Sequence, residues 1–275
     1  MLGLAASVCW GVGDFVGGAQ TKLLPGIVVV LASQAVGLVA LAIVVLPGGA
    51  ALPAADLGAA AVAGVATSLG IMAFYKALSI GPMSVVAPIS AVGVIIPVVV
   101  GIADGDRPAS LQVAGMAVAI VGVLLASQVS DEDPDRRRAQ RRGIVLAVLA
   151  AGLIGISLSA FDRAGETAPV SAVMWARAAS VTTLGVVALL ARPDATGAGK
   201  QVPALVAIGL LDVGGTVLFT TASGRGLLSL VAVAASLYPI STILLARGLL
   251  GERLRVLQAA GVISALAGVA AVAAG

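Results

Sequence analysis

The chain has no histidine, only one cysteine and few aromatic residues among its 275 residues. Histidine is the commonest metal ligand and the side chain that titrates near neutrality, so its absence removes both roles. The single cysteine, Cys9, cannot form an intramolecular disulfide, and no cysteine cluster is present to hold zinc or an iron–sulfur centre. No Gly-x-x-x-x-Gly-Lys followed by Ser or Thr occurs, which argues against ATP-driven chemistry. We therefore expect no catalytic residues, no metal site and no cofactor.

Charge is also scarce, at 11% of residues, whereas hydrophobic residues make up 60%. A soluble domain averages about 25% charged and roughly 45–50% apolar residues. The 16 basic and 13 acidic residues are too few to cover a water-facing surface, and the mean hydropathy is +1.13. A pI near 9.5 is typical of nucleic-acid-binding proteins. Most of the cations, however, flank apolar segments, which is typical of charges that set the topology of a membrane protein. The sequence therefore predicts an integral membrane protein that binds no nucleic acid, and it excludes a soluble enzyme.

Ten apolar segments are predicted to be transmembrane helices, because crossing a bilayer takes about 20 mostly apolar residues. The first lacks the positively charged region that precedes a cleaved signal, so we expect a retained helix. Proline, glycine and charge clusters separate the ten segments, which are residues 2–20, 26–47, 55–78, 82–102, 109–128, 143–162, 168–191, 201–223, 226–249 and 255–274.

The two halves of the sequence repeat each other. Residues 105–115 align without a gap with residues 251–261, and six of the eleven positions are identical. At nearly the same offset, Phe74 meets Phe219 and Gly122 meets Gly268. Because five spans is an odd number, the second unit must enter the membrane in the opposite orientation. This arrangement recurs in secondary transporters, whose substrate site lies mid-membrane between the repeats.

We therefore predict an all-α integral membrane protein with ten transmembrane helices in two inverted five-helix repeats. Residues 1–128 form the first unit, residues 129–142 a polar, arginine-rich linker, and residues 143–275 the second unit. The linker is interpreted as a solvated connection whose charges set the topology. A regulatory or lipid-binding role for its arginines is the alternative; they are Arg136, Arg137, Arg138, Arg141 and Arg142.

Several short motifs resemble the EamA-like branch of the drug/metabolite transporter superfamily. They are Trp10-Gly11, Phe74-Tyr75-Lys76-Ala77-Leu78, Pro88, Pro97, the block from Gly105, Arg177, Ala222-Ser223, Leu237-Tyr238-Pro239 and Leu250-Gly251-Glu252-Arg253-Leu254. The resemblance covers essentially the whole chain as two five-helix units. It implies transport of a small metabolite or drug across the cytoplasmic membrane by alternating access, without ATP. In the first unit the family's Gly-Glu pair is Gly105-Asp106, so the acid is shorter.

Four ionisable side chains lie within predicted spans, where a charge is costly and usually faces a cavity or a partner. Asp14 and Asp212 are candidate proton carriers or counter-ions for a cationic substrate; alternatively, each is a structural partner of a cation. Arg177 keeps its charge and cannot carry protons, so it either binds an anionic substrate or clamps Asp14 or Asp212. Lys76 lies near enough to its helix end to extend toward the interface.

The remaining candidates are less specific. Tyr75 and Tyr238 suit either a substrate cavity or an interfacial anchor. Glu252 is expected to hold the turn between the last two spans. Three prolines inside spans are interpreted as hinges or as determinants of packing; they are Pro88, Pro97 and Pro239. Two glycines complete the structural motif, Gly105 and Gly251.

The predicted function is a secondary transporter driven by protons, through Asp14, Asp212 or both, or by the substrate gradient alone. The alternative is a membrane-embedded enzyme or lipid-linked-substrate translocase, for which Asp104 and Asp106 are the only candidates. The substrate, the direction of transport and the choice between monomer and homodimer stay open.

The orientation in the membrane has two conflicting indications. Twelve cations lie in the odd-numbered loops or at their edges, against three on the opposite face. The positive-inside rule then puts the linker in the cytoplasm and both termini outside. The family resemblance implies cytoplasmic termini instead, and we prefer it, because one cluster and several helix-edge residues dominate the count.

Overall fold

The computed structural model describes residues 2–49, 52–103, 109–126, 134–224, 228–251 and 256–274. Within these ranges the chain forms twelve α-helices and three 3₁₀ turns, and no strand. The helices are α1 (Leu2–Gln20), α2 (Gly26–Val45), α3 (Ala54–Ile80), α4 (Met83–Ala91), α5 (Ile95–Ala103), α6 (Ser110–Ala126), α7 (Pro134–Gly165), α8 (Pro169–Ala191), α9 (Val202–Ser223), α10 (Leu228–Ala235), α11 (Tyr238–Leu250) and α12 (Val256–Ala274).

Six helices in the described ranges are long and apolar enough to cross a membrane, namely α1, α2, α3, α7, α8 and α9. Shorter apolar helical segments lie at the other four predicted positions; they are Val85–Gly101, Ser110–Ala119, Tyr238–Leu250 and Ala259–Gly268. Many large apolar side chains remain exposed on the outer faces, as suits a surface that meets lipid. The chain is therefore an all-helical, multi-pass membrane protein.

The predicted fourth and ninth spans are each broken in the middle. Helices α4 and α5 are joined by a 3₁₀ turn at Val92–Val94, and a two-residue turn separates α10 from α11. Pro88 lies inside α4, as predicted, but Pro97 and Pro239 occupy the first turns of α5 and α11. A proline N–H is not needed in a first turn, so these two residues start helices rather than bend them.

The predicted linker is partly helical. Helix α7 begins at Pro134, so the segment 134–142 belongs to this 32-residue helix instead of an irregular connection. Proline is well suited to a first helical position, and the Arg, Ala and Gln that follow have high helix propensity. The segment 127–133 lies outside the described residues.

The two halves pack through equivalent helix pairs. Helix α3 packs against α7 and α8, and α9 packs in the same way against α1 and α2. Helix α6 packs closely against α12, its own counterpart. A methyl group added at Gly122 would overlap the backbone of Ala265, and one added at Gly268 would overlap that of Ala119. The glycines that the repeat aligns are therefore the ones that let these helices touch.

Of the glycine motif, Gly251 is described and Gly105 is not. Gly251 ends α11 with φ +65° and donates its N–H to the Ala246 carbonyl. Glycine adopts this left-handed conformation at little steric cost, which explains its place in the motif. Glu252, predicted to hold the adjoining turn, also lies outside the described residues.

Candidate functional site

A cavity of about 70 Å³ lies between the two halves of the bundle. Helices α1, α3, α4, α7, α9 and α11 all contribute to its wall, and the breaks in the fourth and ninth spans face it. In this conformation it has room for a few water molecules. The lining residues include Trp10, Asp14, Thr67, Ile71, Phe74, Ser90, Ala91, Phe161, Asp212, Thr216, Ser236 and Tyr238.

Positions equivalent in the repeat line opposite sides of this cavity. The offset that pairs Phe74 with Phe219 brings three further pairs to the wall: Thr67 with Asp212, Ile71 with Thr216, and Ala91 with Ser236. Equivalent positions of the two halves thus line the cavity, but their side chains differ in chemistry. The second half supplies an acid where the first half supplies a threonine.

Arg177 on α8 is the largest fully buried side chain in the described residues, with 1% of its surface exposed. Its Nη1 lies 2.7 Å from Oδ2 of Asp212 and also donates to Oε1 of Gln34. Its Nη2 donates to Oγ1 of Thr216 at 2.8 Å. Arg177 thus forms an ion pair with Asp212, one of the two acids that the sequence offered as its partner.

Asp212 is held by several further contacts. The Gln34 amide donates to the same Oδ2 at 3.0 Å, and Ser180 donates to Oε1 of Gln34 at 3.2 Å. The backbone carbonyl of Asp212 accepts from Thr216 at 2.8 Å and from the indole of Trp10 at 3.3 Å. The carboxylate is therefore fixed between α2, α8 and α9.

Sequence reasoning missed Gln34 and Thr216. Gln34 is completely buried in the middle of α2, in an otherwise apolar segment. A buried amide must be hydrogen-bonded to offset its desolvation, so a lone glutamine in a transmembrane span was a usable signal. The partner of such a glutamine, however, depends on helix packing that one sequence does not reveal.

Asp14 differs sharply from Asp212. It lines the cavity from α1, and within the described ranges it accepts no hydrogen bond and forms no ion pair. Trp10 lies one turn before it, and Phe74 and Tyr238 meet edge to face across the cavity at 6.3 Å. Oγ1 of Thr67 is buried in the same wall without a hydrogen-bond partner. The cavity thus contains one ion-paired carboxylate and one carboxyl without a cation.

The other predicted residues divide between the cavity and the surface. Tyr238 lines the cavity, and its hydroxyl donates to the Ala87 carbonyl at 3.4 Å. Tyr75 is buried outside the lining, against α1 at Gly17, where any side chain would overlap its ring. Lys76 is exposed and lies in a separate groove. The structure therefore brings together Asp14, Asp212, Arg177 and Tyr238, with Tyr75 close to them but outside the cavity lining, and it places Lys76 elsewhere.

The comparisons with known proteins agree with this architecture. Residues 1–128 and 141–274 match the model of the EamA-like transporter family. No curated protein matches the chain. A solved structure described only as "Crystal structure of protein" is 17% identical, with a TM-score of 0.71, and the match covers 98% of this chain and 94% of that chain. The two proteins share a fold over nearly their whole lengths.

Proposed function

The chain belongs to the EamA-like transporter family, and from this premise we propose a secondary transporter of a small metabolite or drug in the cytoplasmic membrane. The proposal includes ten transmembrane helices in two inverted five-helix units. The equivalent packing of α3 on α7 and of α9 on α1 supports it. In such transporters the substrate site lies at the repeat interface near mid-membrane, and the repeats rock against each other around it.

The observation that carries this proposal is the cavity between the halves, in which Asp14 pairs with no cation among the described residues. A carboxyl group inside a membrane protein is expensive and is usually partnered or functional. Asp212 has such a partner in Arg177, 2.7 Å away. Asp14 is therefore the cavity acid that remains available to a substrate or a proton.

We place the coupling step on Asp14. The ionisable groups that face it are Asp212, neutralised by Arg177, and the hydroxyls of Tyr75 and Tyr238. None of these is a cation free to hold Asp14 permanently ionised. A proton bound to Asp14 from one side and released to the other would drive the exchange, while Arg177 and Asp212 stay paired with each other.

The same arrangement favours a substrate with a positively charged group. Both Nη atoms of Arg177 contact Asp212, Gln34 or Thr216, and the Asp212 carboxylate balances its charge; only its buried Nε has no hydrogen-bond partner in the described residues. Asp14 offers a counter-charge, and the rings of Trp10 and Phe74 offer faces suited to a cation. An amine that competes with the proton for Asp14 would be coupled to it directly.

The proposal predicts different losses for the two acids. Purified protein in sealed vesicles is screened for pH-gradient-driven uptake of amines, amino acids, sugars and nucleosides, and the substrate found is used for the variants. Asp14→Asn should abolish gradient-driven accumulation, because the titrating group is gone. It should also weaken counterflow of an amine, which loses its counter-charge, but keep counterflow of an uncharged substrate. Asp212→Asn should reduce both, because it leaves the Arg177 charge buried without a partner.

Asp194→Asn is the matched control, since Asp194 is exposed in the loop after α8 and should transport normally. Full gradient-driven flux in Asp14→Asn would contradict the coupling step. Turnover of a lipid-linked substrate with no transmembrane flux would instead support the rival, an enzyme.

A further inference from the structure

A second concave site lies on the outside of the bundle, between the last turns of α3 and the first turns of α7. It is an open groove with a volume of about 570 Å³. Three of its lining side chains are cations and the others are apolar; they are Lys76, Arg141, Arg142, Ile80, Ala139, Val145 and Leu146. The proposed function uses none of them.

This basic groove, defined by those seven residues, lies where both helices leave the apolar layer. Helix α3 ends at Ile80, and a methyl group at Gly143 of α7 would lie 3.6 Å from Cα of Gly81. Before Gly143 the helix is rich in arginine, and from Ile144 onward it is apolar. The two arginines are therefore at the water-facing end of the groove, whereas Val145 lies toward the hydrocarbon. Lys76, one turn before the end of α3, has a side chain long enough to extend toward the arginines.

The positive charges of the groove are not neutralised within the described residues. Lys76, Arg141 and Arg142 are exposed there and form no ion pair or hydrogen bond through their side chains. The groove lining contains no acid. Three like charges that converge on one concavity repel each other, and an anion bound between them relieves that repulsion.

We propose that the basic groove binds an anionic phospholipid, with its phosphate on Lys76, Arg141 and Arg142 and an acyl chain along Val145. Basic pockets between helices at the membrane surface recognise acidic headgroups in this way. The apolar part of the lining points to a lipid rather than a soluble phosphate. Val145 is 68% exposed at the level where a lipid chain would run.

The role of the three groove cations in binding the headgroup is tested by comparing two triple variants of equal net charge. The measurement is the affinity of detergent-purified protein for phosphatidylglycerol, with phosphatidylcholine as the neutral lipid. Lys76→Gln/Arg141→Gln/Arg142→Gln should bind phosphatidylglycerol about 100-fold more weakly, at roughly fivefold per cation. Arg192→Gln/Lys200→Gln/Arg247→Gln removes three exposed cations elsewhere and should keep the affinity within about threefold of the unmodified protein.

Equal weakening in both triple variants would show attraction by net charge alone and would overturn the site. The unmodified protein should also prefer phosphatidylglycerol to phosphatidylcholine, and the absence of that preference would overturn the proposal as well. All six positions are exposed, so both variants should fold, and their thermal unfolding in detergent checks this.

The lipid and a soluble phosphate are distinguished by a second pair of measurements. Val145→Ser should weaken binding of phosphatidylglycerol severalfold while leaving binding of glycerol phosphate unchanged, because only the lipid has a chain to lose contact. If glycerol phosphate binds as tightly as the lipid and Val145→Ser changes neither, the groove takes a soluble phosphate and the proposal fails. The readout is binding, so failure of the transport proposal would not affect it.

Discussion

At the scale of single residues, the two intramembrane acids have the same sequence signature and opposite surroundings. Asp14 directly follows Gly13, and Asp212 lies two residues before Gly214, both within apolar helices, which left both open as proton carriers. Arg177 and Gln34 distinguish the two acids, because both contact the Asp212 carboxylate and neither contacts that of Asp14. Which acid receives the cation is decided by the packing of α2, α8 and α9. Periodicity and spacing could predict that acids matter here, but not how their roles divide.

Arg177→Met should destabilise the protein by about 3 kcal/mol or more, because it leaves the Asp212 carboxylate buried without its cation. The double variant Arg177→Met/Asp212→Leu should recover most of that loss, since it removes both charges. Thermal unfolding in detergent gives the comparison, and Arg192→Met, an exposed arginine at the end of α8, is the control. A double variant no more stable than Arg177→Met would show that side-chain packing, rather than the charge pair, holds this region.

At the scale of helices, the long apolar runs predicted where helices lie but not how they are interrupted. Helices α1, α2, α3, α8 and α9 follow their predicted segments closely, because length and hydropathy determine them. The break before Tyr238 depends on contacts across the bundle: Oγ1 of Thr242 donates to the Gly11 carbonyl, and a side chain at Gly11 would overlap the backbone at Tyr238. A proline alone could not indicate whether its span bends or ends.

Close contacts through glycine should be the part of the packing most sensitive to substitution. Gly122→Ala and Gly268→Ala each place a methyl group into the backbone of the facing helix, so α6 and α12 must separate. We expect each to cost about 1–3 kcal/mol of stability. Gly185→Ala and Gly248→Ala are matched controls in α8 and α11, where an added methyl group meets nothing within 4 Å.

The controls should be neutral or stabilising by roughly 0.5–1 kcal/mol, because alanine is the better helix former. Unfolding midpoints in one detergent compare the four variants. Equal midpoints for the two pairs would mean that α6 and α12 are not pressed together as the structure has them.

At the scale of the whole molecule, duplication explains both what repeats and what does not. The helix pairs and their glycine contacts occur twice, whereas the ion pair of Arg177 with Asp212 occurs once in the described residues. Thr67 occupies the position in the first half that corresponds to Asp212, and its hydroxyl has no hydrogen-bond partner in the described residues. The repeat could be predicted from the sequence because identical glycines and polar residues recur at aligned positions in the two halves. The asymmetric ion pair could not, because it depends on how α8 and α9 pack against each other, which one sequence does not reveal.

The proposed inverted arrangement makes a direct prediction about which face of the membrane each loop occupies. Leu23, between α1 and α2, and Glu166, between α7 and α8, are exposed at equivalent places in the two units. In a protein changed to Cys9→Ser, which has no other cysteine, Leu23→Cys and Glu166→Cys should react with an impermeant maleimide from opposite sides of sealed vesicles. The Cys9→Ser protein alone should remain unlabelled. Labelling of both sites from one side would require parallel units and would contradict the proposed architecture. The side on which Leu23→Cys reacts also fixes the orientation: the positive-inside count puts it in the cytoplasm, and cytoplasmic termini put it outside.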